Sequence, residues 1–134
     1  VREPATGLQS KFSMLHAAAA ALIDGAAGVA QFSDAKATDP TIAALRRKVK
    51  PVADEKLRRD EAYACIAVGK GRHEIHIAHA TGTADNPMSD EQIADKFLAN
   101  AAPVIGADQA QRAVDWIARL EQQPDMRPLI ALLA

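Results

Sequence analysis

A chain of 134 residues with 49% apolar and 25% charged side chains has the composition of one globular domain, long enough to bury a core. Its formal charge of −1 gives no electrostatic reason to expect nucleic acid or an anionic membrane as partner, and three Phe, one Tyr and one Trp are too few for a base-stacking platform. The single cysteine, Cys65, excludes an internal disulfide and a cysteine-built zinc site.

The longest apolar run is about a dozen residues, short of the roughly 20 that span a bilayer. No basic-then-apolar signal segment opens the chain, and with the lone thiol this reads as a cytoplasmic protein. The opening VREPATGLQ has Val1 where an initiator methionine would stand, which fits a fragment, a processed protein or a trimmed chain.

Residues 1 to 10 read as a loop punctuated by Pro4 and Gly7, with Ser10 available as a helix cap. KFSMLHAAAAALIDG then predicts a helix over about 11–24 that stops at Gly25. Between Lys11 and Asp24 only Ser13 and His16 are polar, so apolar side chains surround the helix and predict burial on every side. The five alanines Ala17 to Ala21 leave room for another backbone or a ligand to approach. Ser13 and His16, three residues apart, are neighbours on one helical face. Two readings of His16 stand side by side: a core histidine with satisfied hydrogen bonds, or a group that moves protons near neutral pH.

After the connector AAGVAQFSD, Asp39-Pro40 is a capping acid followed by proline at the first helical position. The helix it starts is expected to turn Ile42, Leu45 and Val49 inward and Arg46, Arg47 and Lys48 outward, and to end at Pro51. KVKPVAD is available as a short strand. EAYACIAVGKGRHEIHIAHA predicts two extended arms around a loop of four residues, Gly69 to Arg72. Two strands alone are marginal in water, so a third strand or a helix is expected to cover them.

Ser89 and Gln92 form a capping box, with Met88 and Ile93 as its hydrophobic staple. The helix that follows is expected to bury Ile93, Phe97 and Leu98 and to end before Pro103. A further helix over about 107–122 carries Ala110, Val114, Ile117 and Leu120 on one stripe, and a last one, capped by Asp125, carries Leu129, Ile130, Leu132 and Leu133. The order helix, helix, hairpin, helices predicts an α+β fold: a small antiparallel sheet of a hairpin plus at least one more strand, packed with helices and followed by a C-terminal helical segment.

His73, His76 and His79 fall within seven residues, but on a strand His73 and His79 lie about 20 Å apart and His76 points to the opposite face. With no well-placed carboxylate to complete a site, they read as solvated strand histidines and no metal is expected. Gly69-Lys70-Gly71 lacks the glycine spacing and following helix of a phosphate loop and reads as a hairpin turn. The cluster Arg46, Arg47, Lys48, Lys50 reads as a solvated face, with anion binding as the alternative. Cys65, in a strand with no partner to lower its pKa, reads as a buried structural thiol.

TGLQSKFSMLHAAAAALIDG, then AGVAQFSD, a DP-initiated helix, strands around a GKGR turn and NPMSDEQIADKFLANA, in that order over about residues 3 to 101, resembles the C-terminal part of the MmgE/PrpD family. That family includes 2-methylcitrate dehydratases, cis-aconitate decarboxylases and an iminodisuccinate epimerase. The resemblance implies a two-part enzyme, usually a homodimer, without a required metal or organic cofactor. Its chemistry is proton abstraction beside a carboxylate, followed by loss of water, loss of CO2 or epimerisation of a small di- or tricarboxylate.

On the same footing, residues 1–102 resemble the smaller α+β domain, and 103–134 are helices that complete it or dock on an N-terminal helical domain. The KFS-type helix borders the active cleft, and some members have tyrosine where this chain has His16. His16 is thereby the candidate catalytic residue, as a substrate hydrogen-bond partner or proton donor, and Lys11 and Ser13 of the motif are weaker substrate-binding candidates. The family's principal catalytic lysine and histidine lie in a K-x-Y-P-type segment upstream of KFS, absent here. The expected function is therefore one wall of a lyase or isomerase site, inactive alone; the alternative is a binding or assembly module that keeps the fold without catalysis.

Overall fold

Side chains that satisfy the first N–H groups mark where most of the helices begin. The computed structural model describes residues 1–134, with seven helices and one two-stranded antiparallel sheet, the α+β class expected. The chain divides into two units, Val1–Val52 and Ala53–Ala134. No helix is long and apolar enough to cross a membrane.

In the first unit, α1 (Gly7–Ser10) leads through a turn at Lys11 and Phe12 into α2 (Met14–Asp24). The expected single helix from residue 11 therefore starts later: Ser13, rather than Ser10, is its cap and accepts from the His16 N–H at 3.2 Å. Gly25, with φ of +69°, ends α2 as expected. Burial on every side is not observed. Leu15, His16, Ala19 and Ala20 face inward, while Phe12, Met14, Leu22 and Ile23 are exposed. The alanines make this geometry available, because the small buried face of α2 lets α4 (Pro40–Arg46) pack closely with Ile42 against Ala19 and Ala20.

Asp39 caps α4 through both the Thr41 and Ile42 N–H groups, at 2.8 and 3.0 Å. The helix ends at Arg46, short of Pro51. Between α2 and α4 lie a 3₁₀ turn, Val29–Phe32, and α3 (Asp34–Thr38). Gly7 sits hard against this turn: its N–H donates to Asp34 Oδ1 at 2.6 Å, and a Cβ there would collide with the Phe32 carbonyl oxygen. KVKPVAD forms no strand; Pro51 has no N–H to donate to a ladder.

In the second unit, β1 (Ala62–Val68) pairs with β2 (Gly71–Ile77) in register Ala62↔Ile77 through Val68↔Gly71. The loop is two residues, Gly69-Lys70, rather than four. Gly69 alone takes a positive φ, +58°, the pattern of a type II′ hairpin. The sheet has two strands, so the expected third is absent, and both faces of the hairpin are largely exposed. Cys65 is exposed, not buried, because its face carries no covering layer.

The capping box forms as read: Ser89 N–H donates to Gln92 Oε1 at 2.9 Å and Gln92 N–H to Ser89 Oγ at 3.2 Å. It starts α5 (Asp90–Ile105), which runs through Pro103 instead of stopping before it. Proline two residues from the helix end removes one late intrahelical bond, and the helix stops at Gly106 with φ of +86°. Ile93 is exposed and Phe97 and Leu98 are half-buried, less than expected. In α6 (Ala107–Ile117), Ala110 and Ala113 are buried, whereas Ile117 and Leu120 of the expected stripe are exposed. Asp125 accepts from the Arg127 N–H at 3.0 Å to start α7 (Arg127–Leu133), and Gln109 ties α6 to it by donating to the Leu132 carbonyl at 2.9 Å.

Candidate functional site

His16 occupies the inward face of α2 and is fully buried. Its Nε2–H donates to the Gln31 carbonyl oxygen at 2.8 Å. That partner fixes the tautomer: Nδ1 is left with its lone pair, facing Arg46 Nη1 at 3.4 Å. Phe32 flanks the imidazole with ring centroids 5.5 Å apart. Gln31 is itself pinned, since its amide N–H donates to Asp24 Oδ2 at 3.2 Å and its Oε1 accepts from Gly28 N–H at 3.0 Å. Asp24 closes the network on Lys36 at 2.7 Å, and that pairing holds its carboxyl below the ordinary 3.8.

Arg46 is the residue that sequence reasoning placed wrongly. It points inward, with Nη1 donating to the Ala37 carbonyl oxygen at 3.1 Å and Nη2 to Glu3 Oε2 at 2.9 Å. A signal for this existed: Ile42 and Arg46 are four residues apart, so an inward Ile42 carries Arg46 onto the same face. Glu3 was missed altogether, because its partners lie 43 and 44 positions away. The hydrogen bond from Arg46 holds the Glu3 carboxyl below its ordinary 4.5.

The three sequence candidates have different surroundings. His16 is engaged at both ring nitrogens and meets Arg46. Ser13 is 2% exposed and its Oγ is committed to the cap of α2. Lys11 is exposed in the turn that precedes it. The structure thus joins Ser13 and His16 through the helix start, and joins His16 to Arg46 and Glu3.

Two of the three clustered histidines, His76 and His79, have carboxylate partners that sequence reasoning did not find. His76 stacks on its cross-strand neighbour Tyr63, centroids 4.0 Å apart, and donates to Glu61 Oε1 at 2.9 Å. His79 Nδ1–H donates to Asp60 Oδ2 at 2.7 Å, which keeps Asp60 below its ordinary 3.8. Asp60, His79 and Asp85 each bring one potential ligand atom within 4.8 Å of the others. Arg58 supplies positive charge at that cluster, with Nη2 3.2 Å from His79 Nε2 and Nε 3.9 Å from Asp60 Oδ1.

Residues 1–122 match the MmgE/PrpD C-terminal domain family, and the chain belongs to that family. No curated protein matches the chain.

Proposed function

Because the chain belongs to the MmgE/PrpD family, we propose that it forms one wall of a cofactor-independent lyase or isomerase acting on small di- or tricarboxylates, 2-methylcitrate dehydratase-like. The observation that carries this reading is the family match over residues 1–122. A second, helical domain completes the site in this reading, and the assembled enzyme is a homodimer. The outward apolar residues Met14, Leu22 and Ile23 of α2, with Phe12 in the turn before it, support a covering surface of that kind.

In this reading His16 is a positioning residue. Both its nitrogens are spoken for, so its influence on a bound acid passes through Arg46, whose Nη1 it faces. His16→Gln in the assembled enzyme then raises KM more than it lowers kcat, measured per folded molecule. A fall in kcat with KM unchanged returns His16 to the role of proton donor.

The direct test is turnover of 2-methylcitrate and cis-aconitate by the 134-residue chain alone and with a helical domain of the same family. Turnover only in the combined form supports the proposal, and rapid turnover by the chain alone contradicts the need for a second domain. The engaged state of His16 also favours a second reading, a docking module without chemistry of its own. An assembled form that binds but turns over none of the family's acids selects it.

A further inference from the structure

Arg46, Arg47, Lys48 and Lys50 put four cations into five positions, and the one carboxylate in the chain that meets them is Glu3. Glu3 Oε2 accepts from Arg46 Nη2 at 2.9 Å, and Oε1 accepts from Arg47 Nε at 3.3 Å. Each oxygen is held by a different arginine, so the carboxylate is gripped at both ends by planar charge-assisted donors.

The two arginines have different jobs. Arg46 is fixed in place, with a side chain 4% exposed and Nη1 held by the Ala37 carbonyl. Arg47, at 66%, and Glu3, at 56%, are exposed, so the carboxylate rests on the solvent side of a buried, immobile cation. Glu3 comes from the irregular stretch before α1 and is not anchored in a helix.

A second observation points to a ligand. Nε of Arg46 is buried and has no hydrogen-bond partner. An unpaired donor on a buried guanidinium is costly for a purely structural ion pair and calls for another explanation.

We propose that Arg46 and Arg47 form a binding site for a small di- or tricarboxylate, with Glu3 as the resident carboxylate that the ligand displaces. The ligand class rests on the function proposed above; the site itself is read from the three side chains. A polycarboxylate has what Glu3 lacks, further negative charge, and Lys48 and Lys50, close by in the sequence, form no ion pair within the chain. A tethered carboxylate competes at an effective concentration on the order of millimolar, so Glu3 sets the ligand level at which the site fills.

The test is calorimetric titration of the chain with citrate, together with Glu3→Gln and the exposed-site variant Arg47→Ala, while NMR follows the Arg46 and Arg47 Nε–H signals. Removing the competitor tightens citrate binding about tenfold. Arg47→Ala weakens it by about tenfold, and citrate shifts both arginine signals in the unaltered chain. Citrate affinity unchanged or weakened in folded Glu3→Gln overturns the proposal. Should that variant not fold, the unaltered chain decides: no citrate-induced shift at either arginine overturns it equally. The two readings fail separately, because citrate binding at the arginines without turnover by any assembled form faults the lyase, whereas turnover with silent arginines faults this site.

Discussion

The two halves of the chain solve burial in opposite ways. Residues 1–52 contain all four buried polar or charged residues, Ser10, Ser13, His16 and Arg46, alongside Leu15, Ala19, Ala20, Ala37 and Ile42. Residues 53–134, the longer unit, bury only Ala110, Ala113 and Leu129 and expose Tyr63, Val68, Ile75, Ile77, Ile93 and Val104. In the first unit each buried polar atom that has a partner specifies one arrangement, because the alternatives leave it unpaired. In the second, a two-stranded ribbon keeps its apolar side chains in water, where such a ribbon is marginal. The lesson is that a small packed core with paired polar groups, rather than apolar content as such, distinguishes the first unit.

The sharpest way to break this contrast is Ile42→Ala. Ile42 is fully buried against Ala19 and Ala20, so its truncation removes about 3 kcal/mol of stability in urea unfolding. A loss under about 1 kcal/mol would mean the first unit is not the packed one. Next in size is His16→Ala, which leaves the Gln31 carbonyl without its donor, takes from Arg46 Nη1 one of its two partners and costs about 2 kcal/mol. His16→Gln, which keeps one donor, recovers part of that loss in the same measurement.

Acid has a smaller effect with a fixed sign. Glu3, Asp24 and Asp39 all have folded-state carboxyls below their ordinary 4.5 or 3.8, through Arg46, Lys36 and the Ile42 N–H respectively. The unfolded chain therefore binds protons first. Their contribution is complete above about pH 5 and is lost as the pH falls through the lowered folded values. Urea midpoints measured from pH 6 down to 3 should drop over that window, and Asp24→Asn should flatten the drop. The smallest effect belongs to the open half: Ile75→Thr, on an exposed strand face, changes stability by no more than about 0.5 kcal/mol.

Local chemistry was readable from the sequence. Asp39-Pro40, the Ser89–Gln92 capping box and the Gly25 stop all act within four residues of themselves, and each forms as expected. The hairpin was placed correctly but its loop was read two residues too long, because the strands pair up to Val68↔Gly71. What was not readable depends on distance in the chain. Glu3 reaches Arg46 across 43 positions, His16 reaches the Gln31 carbonyl across 15, and His79 reaches Asp60 across 19. Periodicity puts Arg46 on the inward face with Ile42, but it does not say which distant carboxylate or carbonyl meets the charge there. The candidate site was therefore half legible: His16 stood out as a polar residue in an alanine run, while the arginine that gives it a partner was assigned to solvent.

Amide hydrogen exchange resolved by residue tests the contrast between the halves most directly. Amides of Ala19 and Ala20 in α2 and of Ile42 in α4 should exchange at least about 100-fold more slowly than the cross-strand bonded amides of β1 and β2. Hairpin amides as slow as those of α2 would contradict the account, because they would show a second half held as firmly as the first without the buried polar contacts that distinguish it.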